Sequence, residues 1–271
     1  MSNGHGEQIS IGIIGVGMVG SAVADYYGKI GKFLVVYYDK YKNIGTIKDV
    51  VKTDYIFICL PSLTRGDGTQ DLEAFGEVLP ELPDGAMVII KSTILPGTTE
   101  NYQKQYPKLV LFHNPEFLDA RTAARDFAKP ELQVLGCTNI SQPRAEEVMR
   151  FLPAAPYRAV CASGESEMVK YFLNTFLATK NTFANQMYDY CVAKGIDYEK
   201  IKDIVKESPR IGGEVHLNIF ADGYRGFSGA CLPKDIYALI RDARDRNAPL
   251  KLLEQVKMLN DQYLPEDEKF F

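Results

Sequence analysis

The chain has 271 residues, long for one hydrophobic core, so two domains are expected. Apolar residues make up 46% and charged residues 24%, as in soluble globular proteins, and a net charge of −4 gives no electrostatic footprint for nucleic acid. No apolar run reaches membrane-spanning length and residues 1–10 are polar, so the expectation is a cytoplasmic protein with no membrane span and no signal peptide.

The first patterned stretch, Ile11-Gly-Ile-Ile-Gly-Val-Gly-Met-Val-Gly20, is a short apolar strand running into Gly15-x-Gly17-x-x-Gly20. A helical segment through Ala22, Val23 and Tyr26 follows, then a second strand over 33–38 that ends in Asp39. Strand, glycine turn, helix and an acid about 20 residues on are the signature of a dinucleotide site. The glycines permit the turn and let a pyrophosphate reach the helix N-terminus, whose dipole favours anions. Asp39 would bind ribose hydroxyls and repel a 2′-phosphate, which favours NAD; Lys40 and Lys42 directly after it keep NADP open.

Further strands are predicted over 54–60, stopping at Pro61, over 86–90, and over 109–112, with 133–135 as the last. The strand over 86–90 runs into Lys91-Ser-Thr-Ile-Leu-Pro-Gly-Thr-Thr99 and the one over 109–112 into His113-Asn-Pro-Glu-Phe-Leu118. In open parallel sheets ligands bind beyond the carboxyl ends of strands, where Ser92, Thr93 and Glu116 lie. Residues 64–71 form a polar loop with turn chemistry and nothing more specific.

Past Gly164 the pattern turns helical. Residues 165–194 contain neither Gly nor Pro and are apolar nearly all round (Met168, Phe172, Phe176, Phe183, Met187, Tyr190), which predicts burial by the chain's own domain or by a second subunit. Glu167, Lys170, Asn174, Asn181 and Asn185 share one face. Such a stripe is either a solvated edge or a pocket wall with Lys170 and Asn174 directed at a substrate. A short helix over 201–207, a turn over 209–213, and helix over 235–259 with a break near Pro249 complete the chain.

The second functional stretch is Gly226-Phe227-Ser228-Gly229-Ala230-Cys231-Leu232-Pro233-Lys234-Asp235. A thiol between a glycine-spaced approach and a charged helix start suits a nucleophile, because a positive environment raises the thiolate fraction. By itself the pattern also fits a glycine-rich loop with an incidental cysteine. Cys59, Cys137, Cys161 and Cys191 sit among apolar or small residues and read as inert core thiols. His5, His113 and His216 have no metal-ligand spacing, so no metal is expected. The predicted organisation is a Rossmann-type, doubly wound parallel α/β domain over 1–162, then a smaller all-α domain over 163–271 built on the long helix.

With these motifs in order, the chain resembles the UDP-glucose/GDP-mannose dehydrogenase family of nucleotide-sugar dehydrogenases. The resemblance rests on the glycine turn, Ser92 to Thr99, Asn114 to Leu118, the Lys170/Asn174 helix, Pro209 to Gly212, and Gly226 to Asp235. It implies oxidation of a sugar C6 alcohol to a carboxylate with two NAD, through aldehyde, thiohemiacetal and thioester. Cys231 would be the nucleophile, Lys170 and Asn174 the donors to the developing oxyanion, and Glu116 the base that activates water. Thr93 would hold that water and Asp235 would orient Lys170. The cofactor set implied is Gly15, Gly17, Met18, Val19, Gly20, Asp39, Pro61, Ser62, Ser92 and Thr93. The substrate set is Phe117, Leu118, Lys170, Asn174, Arg210, Phe227 and Gly229, on a sugar nucleotide such as UDP-glucose. A homodimer through the long helix is also expected.

The sequence departs from the family pattern in four places. A second glutamate, four residues after the first, is replaced by Ala120 with Asp119 beside it. GFGGSCFPKD reads GFSGACLPKD, and the stretch from Arg210 to Cys231 is longer, adding His216 and Arg225. Family members continue into a third domain that grips the nucleotide, whereas this chain stops at Phe271. Two alternatives follow: a truncated NAD-binding homologue with little turnover alone, or a two-electron β-hydroxyacid-type dehydrogenase.

Overall fold

The computed structural model describes residues 8–213, 216–221 and 223–269. His5 and most of the polar leading segment lie outside the described residues. The chain divides into two compact units, the first comprising residues up to Leu63 and Asp71–Lys170, the second Thr64–Gln70 and the chain from Tyr171 onward.

The first unit is a seven-stranded sheet in the order β2-β1-β3-β4-β5-β6-β7. The strands are β1 (Ser10–Ile14), β2 (Leu34–Tyr38), β3 (Tyr55–Ile58), β4 (Met87–Ile90), β5 (Val110–His113), β6 (Leu132–Cys137) and β7 (Tyr157–Ala162). Between them run α1 (Met18–Ile30), α2 (Ile47–Val50), α3 (Glu73–Val78), α4 (Thr98–Gln105), α5 (Ala123–Ala128) and α6 (Ala145–Phe151). Alternation along the strands sorts side chains onto two faces. Ile11, Ile13, Phe57, Ile89 and Phe112 pack with Val23, Tyr27, Phe127 and Val148 of α1, α5 and α6. Ile14, Ile56, Ile58, Val88, Ile90 and Leu111 pack on the other face with Val50, Phe75 and Val78. Burying each such side chain is worth roughly 1.5–3 kcal/mol, against strand-propensity differences of about 1 kcal/mol. Burial therefore decides these strands.

Two features of the sheet differ from the sequence expectation. The sheet does not end at 133–135: β6 is longer and β7 follows it in parallel pairing. Tyr157, Arg158, Val160 and Ala162 of β7 are exposed, as befits an edge strand. β6 also pairs antiparallel with β5, making the sheet mostly rather than wholly parallel.

The second unit holds most of α7 (Ser163–Lys194), with α8 (Tyr198–Val205), α9 (Leu232–Asp245) and α10 (Lys251–Tyr263). Ala178, Phe227, Ile236, Ile240 and Val256 form one cluster; Ala184, Cys191, Tyr198, Leu217 and Ile219 form another. Helix α8 starts before its predicted residue because the Asp197 side chain accepts from the Glu199 and Lys200 amides as N-cap. The loop 64–70 belongs here too: Thr64 Oγ1 donates to the Lys234 carbonyl (2.9 Å) and Arg241 Nη1 to that of Asp67 (3.0 Å).

Helix α7 is not buried all round. Its polar stripe is the buried side, with Glu167, Lys170, Asn174, Asn181 and Asn185 all at most 7% exposed. Phe172, Phe176, Phe183 and Tyr190 are each more than half exposed. Periodicity identified the stripe but not which side faced inward.

Candidate functional site

The first unit carries a built anion cradle. The strand order changes direction at β1 and β3, and ligands of doubly wound sheets bind at such a switch point. Gly15 has φ +88°, and a Cβ there would lie 2.6 Å from the Cys59 carbonyl oxygen at the end of β3. A Cβ at Gly20 would meet the Gly15 carbonyl oxygen at 1.9 Å, whereas one at Gly17 would meet nothing within 4 Å. The turn is thus closed behind and open in front. Helix α1 starts there with no side-chain cap and no acid in its first turn, which leaves its first N–H groups for an anion.

The Asp39 carboxylate is fixed beside this turn by the amides of Val16 (2.8 Å), Tyr41 (3.1 Å) and Lys42 (3.0 Å). Lys42 Nζ donates to the Val16 carbonyl and Lys40 pairs with Glu77, so both ammonium groups have partners. These residues fit a dinucleotide with an unphosphorylated adenosine ribose. Met18 and Val19 open α1; Pro61 is exposed and Ser62 buried just past β3.

Beyond β4 and β5 lies a buried charged cluster. Glu116 Oε1 sits 2.9 Å from Lys170 Nζ, both side chains under 9% exposed, and the Leu118 amide donates to Glu116 Oε2 (2.8 Å). The Lys170 ammonium also lies 5.7 Å from the centre of the half-buried Phe117 ring. Burial by itself would raise the Glu116 carboxyl. The Lys170 charge, the Leu118 amide and the Lys91 charge outweigh it and hold the carboxyl below its usual range.

Lys91 is the residue that motif reading passed over. It is buried at the end of β4, donates to the Asn114 carbonyl (3.0 Å) and Oδ1 (2.7 Å), and burial pushes its ammonium down to about 8. The available signal was a lone charge at the end of an all-apolar strand. Asn114 in turn donates to Gln133 and Val134, so the Asn114-Pro115-Glu116 turn is bolted from both sides. Ser92 spends its hydroxyl on the Leu60 carbonyl (2.6 Å), and Thr93 is buried next to it. Buried His113 bonds Ser166 through Nδ1 and is pushed down to about 3, hence neutral. Glu167 accepts from the Gly97 and Thr99 amides at the start of α4, and burial pushes it up to about 7. Its role in the stripe is a tertiary helix cap. Asp119, next to Ala120, is exposed and pairs with Arg121.

In the second unit, Asn174 Nδ2 donates to Asp235 Oδ2 (2.6 Å) and Lys234 pairs with the other oxygen, Asp235 itself being 1% exposed. Asp235 thus pairs with Asn174 and Lys234, and Lys170 with Glu116. All five cysteines are thiols rather than disulfides, and Cys231 is the exposed one. It is the N-cap residue of α9. Burial raises the thiols of Cys59, to about 12, Cys137, to about 11, and Cys161. Phe227 is buried, Gly229 exposed, and Arg210 exposed after α8. Among the described residues no group of three or more His, Cys, Asp and Glu could hold a metal ion, and no helix is long and apolar enough to cross a membrane.

The matching family models and the curated relatives point to one family. A model of the UDP-glucose/GDP-mannose dehydrogenase family, NAD binding domain, matches residues 38–152, and one of the same family's central domain matches 164–262. The glycine turn precedes the matched range and rests on the geometry above. The UDP-glucose 6-dehydrogenase of Rhizobium meliloti is 31% identical over 78% of this chain and 51% of its own length. That of Haloferax volcanii is 30% identical over 82% and 56%. The chain therefore spans about half the length of these curated relatives. A UDP-glucose dehydrogenase structure from Pyrobaculum islandicum superposes with a TM-score of 0.82 over 97% of this chain and 70% of that one, at 24% identity, which shows the fold.

Proposed function

The chain belongs to the UDP-glucose/GDP-mannose dehydrogenase family, and from that premise we propose an NAD-dependent, four-electron oxidation of a sugar-nucleotide C6 alcohol to a carboxylate. The observation that carries this reading is Cys231, the exposed thiol of five, standing at the N-terminus of a 14-residue helix. A helix start favours the thiolate.

NAD, when bound, accepts one hydride in each of two oxidations. Gly15, Gly17, Met18, Val19, Gly20, Asp39, Pro61, Ser62, Ser92 and Thr93 would hold it. After the first oxidation the Cys231 thiolate adds to the aldehyde carbon, and the resulting alkoxide takes up a proton to give a thiohemiacetal. Lys170 and Asn174 stabilise the negative oxygen during addition. Lys170 leaves Glu116 for the substrate oxygen, which frees the carboxylate to take a proton from water held by Thr93. After the second oxidation that water adds to the thioester carbon, the C–S bond breaks, and the sulfur leaves as thiolate. Asp235 acts through Asn174, whose amide it holds. Phe117, Leu118, Arg210, Phe227 and Gly229 line the sugar-nucleotide site. A division near residue 163, into a cofactor domain and a substrate and dimer domain, belongs to the same proposal.

Counting NADH formed per UDP-glucose or GDP-mannose consumed tests this. Two per sugar is expected; one would indicate two-electron chemistry that needs no thiol. Binding of NAD without turnover on either sugar nucleotide would mark a binding homologue.

The reading includes a homodimer through α7. Phe172, Phe176, Phe183, Met187 and Tyr190 recur at spacings of four, seven, four and three and form one exposed apolar stripe. A twofold interface counts each substitution twice. Phe176→Glu is therefore expected to weaken association by about a hundredfold or more, read by sedimentation equilibrium. A wild-type chain that sediments as a monomer at assay concentrations would remove the dimer from the proposal.

A further inference from the structure

The turn that presents Cys231 is latched from a helix that follows it in sequence. Asn260 of α10, 3% exposed, accepts from the Phe227 amide through Oδ1 (2.7 Å) and donates from Nδ2 to the Phe227 carbonyl (2.8 Å). One side-chain amide thus satisfies both backbone groups of a buried residue four positions before the thiol. Gly226 is shaped to this latch: it has φ +90°, and a Cβ there would lie 2.7 Å from Asn260 Oδ1 and 3.4 Å from Leu264. The neighbouring residues are tied down as well. Arg225 lies 4.4 Å from the centre of the Tyr263 ring and pairs with Asp189 (2.8 Å), while Tyr224 bonds Ser228 (2.5 Å) and Glu268 (3.1 Å).

We propose that Asn260 is a positioning residue that fixes the approach 226–230 and so holds Cys231 at the N-terminus of α9, where the thiolate is favoured. The catalytic use of that thiolate rests on the proposed function; the latch does not. A carboxamide suits the task because it alone among uncharged short side chains offers a donor and an acceptor in one plane. Its removal would leave the Phe227 amide and carbonyl unsatisfied away from water, so the turn would move to reach solvent.

The experiment is the pH profile of Cys231 alkylation by iodoacetamide, followed by mass spectrometry of the Cys231 peptide in the full chain. The limiting rate at high pH reports access, and the midpoint reports the field at the sulfur. In Asn260→Ala the midpoint is expected to rise, slowing alkylation at pH 7 about tenfold, with the high-pH limit unchanged. Asn260→Asp keeps the acceptor and loses the donor, and its midpoint is expected to lie between the two; it serves also if the alanine variant fails to fold. A midpoint unmoved in a folded variant overturns the proposal. Wild-type chain that forms no NADH from UDP-glucose or GDP-mannose would instead defeat the proposed function, while the alkylation profile would still decide the role of Asn260.

Discussion

Cys231→Ser is expected to abolish acid formation while leaving the first hydride transfer measurable. The alcohol-to-aldehyde step needs a base and a hydride acceptor but no nucleophile. The second oxidation needs a tetrahedral carbon bearing a hydrogen and a good leaving group, which a thiolate supplies through the thiohemiacetal and the thioester. A serine hydroxyl is a far weaker nucleophile than a thiolate at neutral pH, and an oxygen ester leaves less readily than a thioester. Loss of a catalytic nucleophile commonly removes several orders of magnitude from turnover, so acid production should fall by about a thousandfold or more. NADH should then appear in a single phase bounded by one equivalent, with an aldehyde-level adduct detectable by mass spectrometry.

Burial raises three of the other four thiols, Cys161 among them. Cys59 and Cys137 are raised by burial to about 12 and 11 and sit in the sheet unit's packing, and Cys191 is buried. Undiminished acid production by Cys231→Ser would refute the covalent route through Cys231.

Local chemistry that is complete within a short stretch is legible in the sequence. The glycine turn, the Asp39 spacing and the strand ends carrying Ser92, Thr93 and Glu116 depend on neighbours in sequence, and they stand where expected. The edge strand β7 is not legible, because its apolar stretch, Ala159 to Ala162, is only four residues long and directly follows the exposed Tyr157 and Arg158. Helix α7 shows a deeper limit. Its periodicity separates two faces, but only tertiary partners decide that Glu167, Lys170 and Asn174 face inward while Phe172 and Phe176 stay exposed. Asn260 was invisible for the same reason: its partner lies 33 residues away and is a backbone. A buried asparagine on an amphipathic helix has no local signature of that duty.

Lys170→Met is expected to cost the fold about 3–5 kcal/mol at neutral pH, because it leaves the Glu116 charge buried without its partner. The pH dependence identifies the cause. In the wild type the Glu116 carboxyl is held below its ordinary value near 4.5, so its pairing contributes stability that is present above that pH and lost as pH falls through the depressed value. Without the ammonium, burial is opposed only by the Leu118 amide and Lys91, and the carboxyl should titrate above 4.5. The folded variant then binds a proton that the unfolded chain releases, so its deficit relative to wild type should shrink as pH is lowered towards the carboxylate range. Urea unfolding at pH 7.5 and pH 5 measures both ends. Adding Glu116→Gln removes the stranded charge, so Lys170→Met/Glu116→Gln should regain most of the lost stability at pH 7.5 while remaining inactive. Turnover should fall by about a hundred- to a thousandfold in Lys170→Met, as when one oxyanion donor is removed. A variant as stable as wild type at pH 7.5, or a double variant no better than the single, would mean that the two groups are not energetically coupled. The stability cycle reads the pair's contribution to the fold, and the turnover loss reads the role proposed for Lys170 at the substrate oxygen; the two outcomes can fail independently.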